Sequence, residues 1–371
     1  MRVLIVPDKF KRTLTASEAA QAIATGWGHA RPGDLIDRLP MSDGGEGFGD
    51  VLGELMQAQR MRCVTTDAAG RERVASWWYA PSTHTAVIEA AQANGIALLP
   101  AGHYHPFQLD TFGVGALIKA AAEAGARCIY VGLGGSATND GGFGLARALG
   151  WSFLDRNGGE LQGWTDLLSL ARVRRPLHPL LTKQRLIIAV DVVNPLLGPG
   201  GATRVYGPQK GLLDPDVPQS EDCLTQLALL TAREIGHDVA PEPGAGAAGG
   251  LGFGLRAFAG GELVPGARVF AAEANLEHRI AGADLVVTAE GCVDEQSFMG
   301  KGVGTVAASC ERAGKRCLCL AGLVSLPPER VPWSGFSAYG IVPTLTGLDQ
   351  SQLHAATWLR RLATQVASTF G

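Results

Sequence analysis

Residues Gly132 to Gly142 read GLGGSATNDGG and lie between an apolar run, Cys128–Val131, and a helical pattern that opens FGLARALG. Strand, glycine-rich turn and helix N-terminus in that order present backbone N–H groups and a positive helix end to an anion, usually phosphate. Gly134 and Gly135 let a ligand approach the backbone. Ser136, Thr138, Asn139 and Asp140 could bind that ligand or a metal. The same turn, capped by Asn or Asp, needs no ligand at all. For one such loop both readings stand open.

Further loops of this kind weaken the bland reading. PDKFKRT (7–13) follows the first apolar run and carries Asp8, Lys9 and Lys11. Lys11 suits phosphate neutralisation, and Lys9 is expected to be a solvated surface residue. Ser42–Gly47 combines Asp43 and Glu46 with three glycines. Asp43 suits a metal or a substrate hydroxyl, and Glu46 suits the start of the next helix. Asp191, followed by Asn194, ends the apolar run LIIAVDV. A carboxylate at the end of a buried strand requires a partner or a role.

Downstream, Lys210 in GPQKG either meets phosphate or belongs to an ordinary turn. The segment 289–302 offers Glu290, Asp294, Gln296 and Lys301 ahead of a helix, with Glu295 a solvated neighbour. GAGAAGGLGFG (244–254) has no reactive side chain. It serves either a flat or charged ligand or tight helix packing.

Several familiar sites are missing from the sequence. Lys301 is followed by Gly302 and lacks the glycine spacing of a Walker A loop. G-x-S-x-G and H-E-x-x-H do not occur. The seven cysteines are scattered without zinc-site spacing. What remains is Lys, Asp, Asn, Ser and backbone N–H groups. That inventory fits phosphoryl transfer, where catalysis is mostly positioning and charge neutralisation.

The elements that must position these residues follow from periodicity. RVLIV (2–6), a capping box at Thr15–Glu18, a helix to about His29 and LIDRL (35–39) read as βαβ. From about 62 the pattern becomes a β-meander. Near 275 the βαβ rhythm returns. A chain of 371 residues exceeds one ordinary core. The expected architecture is therefore α/β. A parallel doubly wound (Rossmann/flavodoxin-like) domain, residues 1–65 plus 271–371, is split by a mixed α/β insertion, residues 66–270. A net charge of −3 gives no basic face for nucleic acid. No apolar run is long enough for a membrane span. A reducing cytoplasm is the expected compartment, and the chain could be a monomer or a homo-oligomer.

The ordered motifs P-D-K-F-K, D-G-G-E-G, G-G-S-A-T-N-D-G-G, D-V-x-N-P-L-x-G, G-P-Q-K-G, G-A-G-A-A-G-G-L-G and E-G-x-x-D-x-Q-S…G-K span nearly the whole chain. Together they resemble the type-1 (bacterial) glycerate kinase family. The resemblance implies ATP-dependent phosphorylation of D-glycerate, typically to 2-phosphoglycerate, with Mg²⁺. It also implies two α/β domains, one inserted in the other, with the active site in the cleft between them. On that reading Asp191, Lys11 and Asn194 are catalytic. Gly134, Gly135, Ser136, Thr138, Asn139, Asp140, Lys210, Gln296 and Lys301 bind substrate or phosphate. Asp43, Glu290 and Asp294 hold the metal. The chain departs from the family pattern at Arg12, Ala289, Cys292 and Val303, which puts phosphate contacts in question but removes no carboxylate. A kinase of a related hydroxy or sugar acid, or a non-catalytic metabolite-binding regulator on the same fold, are the alternatives.

Overall fold

Apolar runs that end in polar loops become strands throughout the chain. A computed structural model describes residues 1–298, 302–327, 330 and 333–370. In chain order the strands are β1 (Arg2–Pro7), β2 (Leu35–Arg38), β3 (Gln59–Thr66), β4 (Glu72–Ala80), β5 (Thr85–Glu89), β6 (Cys128–Gly132), β7 (Ser152–Leu154), β8 (Arg172–Arg174), β9 (Arg185–Val190), β10 (Glu262–Pro265), β11 (Leu285–Val293), β12 (Arg316–Val324) and β13 (Phe336–Val342). The chain divides into a terminal unit, Met1–Asp43 with Ala267–Gly371, and an inserted unit, Gly44–Gly266.

The terminal unit is built on a five-stranded sheet, β13-β12-β11-β1-β2, with every pairing parallel. Side chains alternate across its strands. Leu318 and Leu320 of β12 join Val3, Ile5 and the helices Ala16–Ala30 and Ala355–Thr369 in one core. Cys317, one residue out of phase, instead meets Cys310 of the helix Gly302–Arg312. Helices therefore cover both faces, the doubly wound arrangement that the βαβ rhythm predicts. The Thr15–Glu18 capping box forms as expected, with the Thr15 amide donating to the Glu18 carboxylate at 2.8 Å and the Glu18 amide to Thr15 Oγ1 at 3.2 Å.

The inserted unit has a six-stranded mixed sheet, β10-β9-β6-β5-β4-β3. The β3–β4–β5 meander is antiparallel, and β5, β6, β9 and β10 run parallel. The unit begins at Gly44, not at 66. The helix Phe48–Leu55 lays Gly49 and Gly53 on the Trp78 ring of β4, so close that a Cβ on either would lie 2.0 or 2.4 Å from ring atoms. That packing, with the β3–β4 pairing, draws residues 44–66 into the inserted unit. Ahead of β11 come two helices, Gly266–Glu273 and Leu276–Ala281, separated by the left-handed Asn275. Among the described residues, no helix is long and apolar enough to cross a membrane.

Candidate active site

In the terminal unit the chain leaves β1 for β2 on one side and returns to β11 on the other. The carboxyl ends of β1 and β11 therefore flank a topological switch point, where open α/β sheets bind ligands. Asp8 stands there, its amide donating to Ala289 O at 2.8 Å. Burial pushes the Asp8 carboxyl up to about 6, and the neighbouring Asp43 charge adds to the shift. Lys9 Nζ donates to Asp43 Oδ1 at 3.1 Å, with the two side chains only 15% and 13% exposed. Lys9 is thus part of the cluster and not the solvated lysine expected from sequence. Lys11 is exposed beside it, and its charge reaches Asp8.

The other expected residues of this unit are less concentrated. β11 runs on to Val293, so Glu290 lies within a strand and not in the loop after it. Asp294 turns back on its own segment. Its amide donates to Ser297 Oγ at 3.1 Å, and the Ser297 amide donates to Asp294 Oδ1 at 3.2 Å. Gln296 is exposed. Lys301 lies outside the described residues. Among the described residues no group of three His, Cys, Asp or Glu could hold a metal ion. Asp294 caps its own turn, while Asp43, paired with Lys9, lies close enough to Asp8 for its charge to act there.

In the inserted unit, both glycine-rich turns lead into helix N-termini that the protein's own carboxylates already fill. Asp140 Oδ2 accepts from the Thr111 amide and hydroxyl and from the Gly144 amide, and Oδ1 accepts from the Gly142 amide, all between 2.8 and 3.1 Å. It is fully buried, and burial raises its carboxyl to about 6, with Asp110 adding to the effect. Asp140 therefore anchors the turn, its carboxylate turned inward. Glu89 does the same at the helix Phe48–Leu55, accepting from the Gly47 and Gly49 amides at 3.3 and 3.2 Å. Burial raises its pKa, opposed by those two amides. Sequence reasoning missed Glu89, although a carboxylate closing the apolar run TAVIE was the signal that singled out Asp191.

Side chains expected to bind substrate from the 132–142 loop mostly face inward. Thr138 Oγ1 accepts from Asn94 Nδ2 at 3.3 Å, and Asn139 Nδ2 donates to Thr203 Oγ1 at 3.0 Å; Thr138 and Asn139 are fully buried. Ser136 Oγ donates to Ala248 O at 3.0 Å. Lys210 is buried too, its Nζ donating to Thr138 O at 2.6 Å and Ser136 Oγ at 3.1 Å. Burial brings its ammonium down to about 7, partly offset by Asp140. Lys210 thus supports the loop from behind. Gly135, exposed and left-handed at φ +74°, and half-buried Gly134 are the part of the loop open to a ligand. GAGAAGG is packing after all. A Cβ on Gly249 would lie 1.9 Å from Thr138 O, and the Gly141 amide donates to Gly249 O at 3.1 Å.

The ends of β6 and β9 meet the Gly44–Gly45 loop at this open face. The Gly134 amide donates to Gly44 O at 3.3 Å, and a Cβ on Gly134 would lie 2.4 Å from Gly45 Cα. Gly44 in turn lies against Ala189 of β9, where a Cβ would be 2.9 Å from the carbonyl oxygen. Just beyond β9, Asp191 is exposed. Tyr206 donates to Asn194 Oδ1 at 2.6 Å, while Asn194 Nδ2 donates to Gly200 O at 2.8 Å. Burial, with the Asp191 charge, pushes the Tyr206 phenol up to about 12. Tyr206, the one aromatic in GATRVYGPQKG, was not identified from sequence. The assembled face has backbone N–H groups, an exposed carboxylate and a phenol.

The sequence model of the glycerate kinase family matches residues 3–371. A glycerate 2-kinase from Escherichia coli (strain K12) is 36% identical over 372 residues, 100% of this chain and 98% of the relative. A glycerate kinase from Halalkalibacterium halodurans is 36% identical over 368 residues, covering 98% of this chain and 97% of the relative. A crystal structure from Salmonella typhimurium LT2, provisionally named glycerate kinase 2, superposes with a TM-score of 0.82 at 34% identity and covers 100% of this chain and 98% of that one. By sequence over its whole length and by fold, the chain belongs to the glycerate kinase family of phosphotransferases.

Proposed function

We propose that the protein transfers the γ-phosphoryl group of ATP to the 2-hydroxyl of D-glycerate, giving 2-phosphoglycerate and ADP. The observation that carries this reading is the joined face of the inserted unit. There Gly44–Gly45 and Gly134–Gly135 meet the end of β9 beside the exposed Asp191. Close glycine backbone receives anionic oxygens, and an exposed carboxylate can accept a hydroxyl proton. The name of the Escherichia coli relative, a glycerate 2-kinase, supports the position of phosphorylation.

Asp191 orients the substrate hydroxyl and takes its proton as the O–P bond forms. Asn194, held by Tyr206 and Gly200 O, fixes the chain beside it. Gly134 and Gly135 offer backbone to a phosphate or carboxylate. In the terminal unit, Lys9 and Lys11 offset phosphate charge. Mg²⁺ commonly binds through one or two carboxylates together with substrate phosphates. Asp8 and Asp43 suit that donor set: two hard oxygen ligands close enough for one charge to raise the other's pKa. When bound, Mg²⁺ would neutralise charge on the ATP phosphates. A coupled assay of ADP release, run over D-glycerate and other small hydroxy acids, tests the reading. ³¹P NMR would identify the product. Turnover is expected only with D-glycerate and a divalent cation, with phosphorus on the 2-oxygen. Turnover that needs no metal, or a marked preference for another acid, would overturn it.

A further inference from the structure

Lys210 is a buried ammonium with no salt-bridge partner among the described residues. The carboxylate whose charge reaches it, Asp140, is committed to four N–H and O–H donors of the protein. Burying a charge costs several kcal/mol unless something compensates for it. A leucine or methionine would fill the same space without that cost. The ammonium points at one place, the underside of the glycine-rich loop. It donates to Thr138 O at 2.6 Å and to Ser136 Oγ at 3.1 Å, and Ser136 Oγ passes a hydrogen bond on to Ala248 O. Ala248, Gly249 and Gly250 all adopt left-handed conformations there, at φ 55°, 70° and 85°. That run brings the Ala248 and Gly249 carbonyls within reach of the loop. Lys210, the 136–138 turn and the Ala248 run, distant in sequence, are thus joined by one relay from Nζ through Ser136 Oγ to Ala248 O.

We propose that Lys210 is a positioning residue for phosphoryl transfer: through Thr138 O and Ser136 Oγ it holds Gly134–Gly135 in the shape that receives a substrate anion. The proposal rests on the reading of this loop as a substrate loop, and its anion is either the glycerate carboxylate or the ATP phosphates.

Hydrogen–deuterium exchange and steady-state kinetics on the full-length protein test both layers. In the wild type, D-glycerate alone or a non-hydrolysable ATP analogue alone is expected to slow exchange in peptides covering 133–142. The ligand that does so identifies the anion. Lys210→Met is expected to speed exchange in that segment without ligand. It should also lower kcat about 10- to 100-fold and raise the KM of the protecting ligand, leaving the other KM unchanged. A lysine that merely stabilises the fold would reduce the active fraction and move neither KM. A kcat within twofold of wild type, or a lower kcat with wild-type exchange in 133–142, overturns the proposal. Failure of both ligands to protect the segment in the wild type overturns the substrate-loop reading beneath it. Should Lys210→Met not fold, Ser136→Ala removes one of the two acceptors and is expected to act in the same direction. Wild-type kcat and exchange in Ser136→Ala would equally overturn the proposal.

Discussion

Asp191 and Asp140 both end apolar strands or turns in the sequence, and the structure gives them opposite jobs. Asp191 is exposed, so replacing it by Asn opens no buried cavity. Asp140 is buried and bound by four donors, so it is part of the scaffold. Asp191→Asn is accordingly expected to lower kcat by about 100-fold or more while the melting temperature stays at the wild-type value. Removing the Asp191 charge should also lower the Tyr206 pKa from about 12. With five tyrosines in the chain, an ultraviolet pH titration can resolve that shift. A variant with near-normal kcat would remove Asp191 from the chemistry. Residue types and spacing in the sequence singled out these loops. They did not say which side chains turn inward, because that is decided by partners such as Thr111, Thr203 and Ala248, far away along the chain.

At the scale of elements, glycine marks close packing more often than ligand approach. The sequence left GAGAAGG open between the two. The structure shows why it must be glycine-rich: the helix Ala247–Ala259 begins on a left-handed run pressed against the 138–142 loop. Gly249→Ala would place a methyl group 1.9 Å from Thr138 O at φ +70°. Gly260, at φ +68°, has nothing within 4 Å of the same methyl position. Both variants bear a left-handed alanine, which costs about 1–2 kcal/mol. Only Gly249→Ala adds a backbone clash, worth roughly a further 1–3 kcal/mol. In urea unfolding, Gly249→Ala should therefore be destabilised by that margin beyond Gly260→Ala. Equal midpoints would mean that the two glycine-rich segments can separate without loss. The strands themselves were legible, because apolar runs bounded by Gly, Asp and Asn have few other ways to bury themselves.

For the whole molecule, the division into units was legible where rhythm changed and obscure where it did not. The return of βαβ spacing near 275 marked the second crossing, close to the observed start of the terminal unit's second segment at Ala267. The first crossing lies at Asp43–Gly44. There β2, the glycine loop and the helix Phe48–Leu55 continue the βαβ pattern without a break. What separates them is tertiary: Gly49 and Gly53 seat on Trp78, and Glu89 takes the helix N-terminus. Both partners lie in the inserted unit, which is one continuous segment with its own sheet and its own core. A fragment of residues 44–266 should therefore fold alone, whereas the same fragment started at 66 should not, since it would bare the Trp78 face and the Glu89 carboxylate. Far- and near-ultraviolet circular dichroism with thermal melts would compare the two. The longer fragment is expected to melt cooperatively with native-like aromatic signals, and to show no kinase activity because Asp8, Lys9 and Lys11 are absent. A longer fragment without near-ultraviolet signal would show that the inserted core is completed only by the terminal unit. Two fragments of equal stability would return the boundary to the position expected from sequence.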